Sequence, residues 1–129
     1  MFPHLRVARP VTALRRSATL YQAGLGLDEL GSFENHEGFD GIILGQPGAG
    51  YHLELTFCRH HPVKPTPTSE DLLVLYLPET PAFEARCNSM RHAGFREVMS
   101  FNPYWQTRGC TFEDFDGYRV VIAHLHGGG

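Results

Sequence analysis

The sequence has no long apolar run, no cluster of basic residues and no ordered set of cysteines. A membrane-spanning helix needs about 18 or more consecutive apolar residues, and no such stretch occurs. Nucleic-acid binding requires grouped lysines and arginines, whereas here the basic residues are scattered and the net charge is -3. Three cysteines without a ligand spacing predict reduced thiols, and therefore a cytoplasmic protein. We expect neither a nucleic-acid nor a membrane partner.

The residues that are present suit one compact domain with a real core. The chain has 129 residues, of which 42% are hydrophobic, and it contains nine phenylalanines and five tyrosines. That length and apolar content are enough to bury a substantial core. Eight histidines are many for this length. His60 and His61 are expected to be exposed in the linker, and His124 and His126 are expected to lie in a frayed tail that leads into the C-terminal glycines.

The same order of elements, strand, helix, strand, strand, strand, occurs twice along the chain. Matching landmarks recur about 70 residues apart, which is too long for a solenoid repeat and indicates two copies of one supersecondary unit. These landmarks are Pro10 with Pro78, Gly24 with Gly94, and Tyr51 with Tyr118. Thr12 is predicted to cap the first helix, and the segment "NPYWQTRG" is predicted to be a loop.

The repeat predicts an α+β fold made of two βαβββ modules within one domain, residues 1–129. The modules are expected at residues 3–58 and 70–126, joined by a Pro-rich linker at 59–69. A four-stranded sheet with a helix on one face leaves its other face uncovered. Two such sheets are expected to enclose a cleft that can hold a small molecule.

Three motifs resemble the vicinal oxygen chelate superfamily, the glyoxalase, bleomycin-resistance and extradiol-dioxygenase family. They are "LRRSATLYQAGLGL", "LELTF" and "FEDFDGYRVVI". Within this superfamily, "NPYW" followed by "GCTFED" is similar to the small YycE-like branch. The resemblance covers essentially the whole chain and implies the same two-module fold.

The resemblance also implies where a metal site would lie. Family members that bind a metal take ligands from the first and last strand of each module. Here Glu54 matches one such position, while Leu72 and Val121 are apolar where the family has His and Glu. His4 matches the remaining position, with Arg6 as its rival, because the register of the first strand is open. This partial set predicts no resident metal and favours a pocket for an organic molecule.

The function that follows is a family member that binds a small organic molecule, neutral or cationic, in the cleft, with no cofactor. Glu54 is expected to be its polar anchor and Trp105 its stacking surface. The alternative is a metal-dependent lyase or dioxygenase in which His4, His52 and Glu54 hold a divalent metal. A homodimer is also expected, because relatives of this architecture commonly pair. The predicted ligand-binding residues are Arg6, His52, Glu54, Tyr76, Trp105, Arg119 and Val121.

Overall fold

The computed structural model describes residues 1–127 and contains two four-stranded mixed sheets. The first module consists of β1 (Leu5–Pro10), α1 (Leu14–Leu25), β2 (Asp28–His36), β3 (Phe39–Gly45) and β4 (Tyr51–Cys58). The second consists of β5 (Leu72–Tyr76), α2 (Thr80–Ala93), β6 (Arg96–Val98), α3 (Pro103–Arg108), β7 (Gly109–Glu113) and β8 (Arg119–Ala123). The predicted α+β fold with two βαβββ modules is confirmed.

The two sheets have the same topology. Their strand orders are β1-β4-β3-β2 and β5-β8-β7-β6. In each module the last strand runs parallel to the first, so that Arg6 pairs with His52 in one sheet and Leu72 pairs with Arg119 in the other. The remaining pairs are antiparallel. The strands β4 and β8, expected to be equivalent, therefore occupy the same place in their sheets.

The core of the first module lies between its sheet and α1. Leu53 and Leu55 of β4 are buried, and they alternate with His52 and Glu54 on the opposite face. Helix α1 begins at Leu14, one residue later than a cap at Thr12 predicts. Its N-cap is Ala13, whose side chain cannot accept a hydrogen bond. The helix continues through Gly24 and ends at Gly26, which has a left-handed backbone.

The second module differs from the first by an additional helix. The segment predicted to be a loop forms α3, which lies between β6 and β7. Asn102 caps this helix, since its side chain accepts a hydrogen bond from the Tyr104 N–H at 3.0 Å, and Pro103 occupies its first turn. The capping signal was present in the sequence, but a six-residue helix is too short to show periodicity.

Strands β7 and β8 approach each other unusually closely at Gly109. A Cβ atom at this position would lie 2.2 Å from the carbonyl oxygen of Ile122, so no larger residue fits there. By contact density the chain divides into two compact units between Pro65 and Thr66. In the part of the chain that the structure covers, no helix is both long and apolar enough to cross a membrane.

Candidate functional site

Polar side chains of the first module gather on the sheet face away from α1. The parallel register places Arg6 beside His52 and Ala8 beside Glu54, so that both strands present their even-numbered residues on this face. The sequence left open whether His4 or Arg6 points toward this face. Both do, because His4 contacts His52 and Arg6 contacts Glu54. These four residues, His4, Arg6, His52 and Glu54, are called the polar cluster below.

Two histidines of the polar cluster are hydrogen-bonded to each other. Nε2 of His4 lies 2.8 Å from Nδ1 of His52, and the rings meet edge to face with centroids 3.9 Å apart. One nitrogen must donate and the other accept, so the pair shares a single proton. Burial, followed by the positive charges of His4 and Arg6, lowers the pKa of His52 below its ordinary value. The surroundings of His52 thus favour its neutral form.

The other two residues of the polar cluster form a loose ion pair. Nη1 of Arg6 lies 3.7 Å from Oε2 of Glu54, which is too far for a hydrogen bond. The Glu54 side chain is 15% exposed and the Arg6 side chain 45%. Neither side chain makes a hydrogen bond with any of residues 1–127. Their hydrogen-bonding groups are therefore uncommitted within the module.

Strand β3, which lies next to the polar cluster, has a glycine beside the His52 ring. Gly45 of β3 pairs with His52, and a Cβ at Gly45 would lie 3.0 Å from the imidazole carbon Cδ2. The glycine thus allows the His52 ring to lie across the sheet. Further along the same strand, the Phe33 ring covers Gly41, where a Cβ would be only 2.2 Å from the ring. Between these two glycines Ile43 pairs with Glu54, so an aliphatic and an aromatic side chain lie on the sheet beside the cluster.

The second module brings together three of the predicted site residues. The rings of Trp105 and Tyr76 meet edge to face with centroids 6.5 Å apart. The rings of Trp105 and Tyr104 also meet edge to face, with centroids 4.9 Å apart. Trp105 also lines a narrow depression with Leu72 and Arg119. The depression is too narrow to admit a water molecule, so it is not a preformed ligand pocket. The indole is thus half-buried, and its neighbours hold it in place.

Arg119 is tied to a carboxylate that the sequence analysis missed. Its Nε donates to Glu113 at 3.0 Å, and Arg96 pairs with the other carboxylate oxygen. Burial alone would raise the pKa of Glu113, but hydrogen bonds from Arg119 and Arg96 outweigh it and hold the pKa below its ordinary value. The available signal was that Glu113 pairs directly opposite Arg119 once β7 and β8 are aligned.

Val121 lies outside any surface that a ligand could reach in this structure. Its side chain is 0% exposed, and β8 has a paired strand on each side, β5 and β7. In the register Val121 lies between Val74 and Thr111. A residue buried on a central strand supplies core packing rather than ligand contacts. The expectation that Val121 lines a ligand site therefore differs from its position in this structure.

The residues at the family's metal positions do not fit a divalent metal. Within residues 1–127 no group of three or more His, Cys, Asp or Glu side chains is arranged to hold an ion. The set His4, His52 and Glu54 is not assembled, because the histidines bond each other and Arg6 faces the carboxylate. In the second module Leu72 and Val121 supply no donor atom.

His124 has a defined position rather than lying in a frayed tail, as its place near the glycines at the C-terminus had suggested. Its ring stacks on Phe83 with centroids 4.6 Å apart, and its Nε2 is 3.2 Å from the Thr80 hydroxyl. These contacts join the end of β8 to the first turn of α2. His124 therefore has a packing role, while His60 and His61 of the linker are exposed, as expected.

Comparison with known proteins gives matches along nearly the whole chain. Residues 5–56 match the family model of the YycE-like N-terminal domain, and residues 70–124 match that of the YycE-like C-terminal domain. The chain is 40% identical over 123 residues to the uncharacterized protein YycE of Bacillus subtilis strain 168, covering 95% of this chain and 88% of that protein. A crystal structure of a Bacillus subtilis YycE protein of unknown function superimposes with a TM-score of 0.89 and 39% identity, covering 98% of this chain and 92% of that one.

More distant solved structures share the fold at low identity. Glyoxalase I from Leishmania major has a TM-score of 0.69 and 18% identity, over 92% of this chain and 83% of its own. The antibiotic-binding protein TnmS3 from Streptomyces sp. CB03234 has a TM-score of 0.63 and 19% identity, over 92% and 91%. At such identities the likeness is one of fold and carries no function by itself.

Proposed function

Because the chain belongs to the YycE-like family of vicinal oxygen chelate proteins, we propose that it binds a small organic molecule without a resident metal ion. The fold is shared with a glyoxalase I and with an antibiotic-binding protein. The choice between these depends on the residues of the site. The cleft expected between the two modules is part of this proposal.

The observation that carries the proposal is the state of Glu54. Its side chain is largely withdrawn from water, yet Arg6, the one residue of 1–127 that forms an ion pair with it, is 3.7 Å away. A carboxylate removed from water is stabilised when it accepts hydrogen bonds, and leaving it without them is costly. An O–H or N–H group of a ligand would supply such bonds, and we therefore assign Glu54 as the polar anchor.

The aromatic part of the site supports the same function. Trp105 is held edge to face by Tyr76 and Tyr104, so its ring is fixed before a ligand arrives. A fixed aromatic surface loses little conformational freedom on binding. The antibiotic-binding protein from Streptomyces shows that this fold is used for binding an organic molecule. We propose that Trp105 stacks on a planar or apolar portion of the ligand.

The alternative is a metal-dependent lyase or dioxygenase that uses His4, His52 and Glu54. One observation favours it, since two histidines and a carboxylate lie on the same sheet face. Arg6 opposes it, because a guanidinium next to Glu54 repels a divalent cation. Metal binding is thus the measurement that separates the two functions.

The test is a thermal-shift series on the protein purified without a histidine tag. We expect aromatic organic compounds to raise the melting temperature, and Zn, Ni, Mn or Fe to raise it little, because stabilisation follows the affinity of the bound ligand. Glu54→Gln should lose the response to the organic compound. Asp40→Asn is the matched control, because Asp40 is a carboxylate of similar exposure that Arg59 already holds.

One result would reject the binding function. A large shift with a single metal that disappears in Glu54→Gln would instead favour the metal-dependent enzyme. A shift with organic compounds that is unchanged in Glu54→Gln would remove Glu54 as the anchor. The Asp40→Asn variant shows how far the loss of any surface carboxylate changes the melting temperature by itself.

A homodimer and a cytoplasmic location belong to the same proposal. Met99 and Phe101 of the second module are 78% and 68% exposed, and large exposed apolar groups are often covered by a partner. Sedimentation at tens of micromolar should give the mass of two chains, and a monomer alone would reject the dimer. The three cysteines are all unpaired, which suits a reducing compartment.

A further inference from the structure

We propose that Arg6 binds the ligand directly and that the ligand carries a carboxylate. This inference rests on the proposed function, because it assumes that a small organic molecule binds at the polar cluster. It goes beyond that function by naming a chemical class and by giving Arg6, rather than a metal ion, the role of the cation in the site. The sequence had predicted a neutral or cationic ligand from Glu54 alone, whereas the structure places the Arg6 guanidinium on the same face.

The first argument is a comparison of two arginine–carboxylate pairs in the first module. The side chains of Arg59 and Asp40 are 40% and 20% exposed, close to the 45% and 15% of Arg6 and Glu54. Arg59 donates from Nε to both oxygens of Asp40, at 2.9 and 3.1 Å, whereas Arg6 donates no hydrogen bond to Glu54. The two arginines are thus about equally exposed, but only Arg59 donates hydrogen bonds to its carboxylate.

The second argument is that the N–H donors of the Arg6 guanidinium have no protein acceptor, although Glu54 holds the guanidinium in place. Among residues 1–127 the Arg6 guanidinium has no hydrogen-bond partner, so all five of its N–H groups are open to a ligand. Glu54 at 3.7 Å attracts the guanidinium and keeps it over the sheet without using its donors. A planar fork of this kind matches the two oxygens of a carboxylate.

The third argument concerns the charges around the guanidinium. Glu54 faces Arg6 from β4, and its charge balances that of Arg6. His4 and His52 are hydrogen-bonded to each other at 2.8 Å and bring no further carboxylate to this face. On β3, Gly45 contributes no charge at this point. A ligand carboxylate would therefore meet the Arg6 guanidinium, while an O–H or N–H group of the same ligand could donate to Glu54.

The fourth argument is that the residues do not fit a divalent metal. The face that would hold a metal in a metal-binding relative holds a permanent organic cation here, beside the one matching carboxylate. A guanidinium stays charged at any physiological pH and needs no supply of metal. Arg6 can thus attract ligand oxygens without the ligand set that the chain lacks.

The experiment follows the Nε–H resonances of the arginines in nitrogen-15-labelled full-length protein during titration with benzoate. Benzamide has the same shape without the charge, and inorganic sulfate tests for binding of any anion. The variants are Arg6→Gln, which removes the charge, and Arg6→Lys, which keeps the charge but not the fork. Arg59→Gln is the matched control. A melting curve on each variant checks that it is folded.

We expect benzoate to shift the Arg6 resonance and to bind roughly tenfold or more tightly than benzamide or sulfate. Arg6→Gln should lose binding by a similar factor, and Arg6→Lys should lose part of it. Arg59→Gln should bind benzoate as the wild type does, even though its melting temperature falls because Asp40 loses its partner. Arg6→Gln should lower the melting temperature less than Arg59→Gln does, because Arg6 loses an ion pair but no hydrogen bond.

Three results would overturn the inference. They are equal binding of benzoate and benzamide, wild-type benzoate affinity in Arg6→Gln, and no response of the Arg6 resonance to benzoate at tens of millimolar. If neutral aromatic compounds still bind in a Glu54-dependent way, the proposed function stands and only the carboxylate assignment fails. If sulfate binds as tightly as benzoate, the site is a general anion site and the inference also fails.

Discussion

Nε2 of His4 and Nδ1 of His52 face each other at 2.8 Å and share one proton. The pair has two equivalent neutral arrangements, in which either ring donates, and each leaves a different nitrogen as an outward acceptor. Two charged rings could not keep this hydrogen bond, because both facing nitrogens would then carry a proton. The lowered pKa of His52 favours its neutral form, and with it the hydrogen bond.

The first prediction is a pH dependence of stability that comes from His52. Its pKa is lowered in the folded protein, so the unfolded chain binds the proton more readily. The stability contributed by neutral His52 should be complete above the unfolded value of 6.5 and should decrease as pH falls through the lower folded pKa. Melting temperature measured from pH 7.5 to 5 should thus fall more steeply for wild type than for His52→Gln. Parallel curves would contradict this.

The second prediction concerns Glu113, which serves two arginines. In Glu113→Gln the half-buried Arg119 and the exposed Arg96 lose their carboxylate, and we expect a loss of about 2 kcal/mol at pH 7. Glu97→Gln is the control, because Glu97 is more exposed and pairs with Arg91 alone; its loss should be about 0.5 kcal/mol. Urea unfolding measures both.

The Glu113 effect should also depend on pH. Its pKa is lowered in the folded state, so its stabilisation is present above the ordinary value of 4.5 and is lost as pH falls through the folded pKa. The difference between wild type and Glu113→Gln should therefore shrink in acid. A difference that stays constant down to pH 3 would show that the substitution acts through packing instead.

The third prediction tests the close approach of β7 and β8. Gly109→Ala would place a methyl group 2.2 Å from the Ile122 carbonyl oxygen, and backbone atoms cannot move aside as a side chain can. We expect a loss of about 3 kcal/mol or more, or no folded protein. Gly31→Ala is the control, because its methyl group would meet only Ile43 at 3.9 Å and should change stability by less than about 0.5 kcal/mol.

The fourth prediction uses Trp105 as its own reporter. It is the only tryptophan, so the tryptophan emission of the protein comes from the candidate site. Binding of an aromatic ligand should change this emission. Trp105→Phe should retain most of the affinity, and Trp105→Ala should lose about fivefold, since an aromatic pair contributes about 1 kcal/mol beyond its buried area. Unchanged emission at saturating ligand would place the ligand elsewhere.

The sequence predicted the fold well because each module repeats the same pattern of periodicities. The alternation of apolar and polar residues in β4 placed Glu54 and His52 on one face, and the structure agrees. The repeat correctly predicted the equivalence of β4 and β8. Local features were less predictable, since Ala13 rather than Thr12 caps α1, and α3 is too short to show a period.

The site was predictable only as far as the strand faces. The sequence could place Arg6 and Glu54 near each other but could not give a 3.7 Å separation, which depends on side-chain rotamers. The partnership of Glu113 with Arg119 required the register of β7 and β8, and a one-residue shift would have turned it to the other face. The burial of Val121 could not be predicted without knowing that β8 lies between two paired strands, β5 and β7.

The irregular backbone of β2 has a consequence for aggregation. This strand ends the first sheet, and its pairing with β3 shifts register twice, between Glu29 and Gly31 and between Phe33 and His36. A bulged and acidic outer strand is a poor template for another chain to extend. The corresponding strand of the second sheet, β6, has only three residues. Neither β2 nor β6 is therefore a long flat edge strand. A concentrated solution of the folded protein should resist growth into fibrils from these two strands.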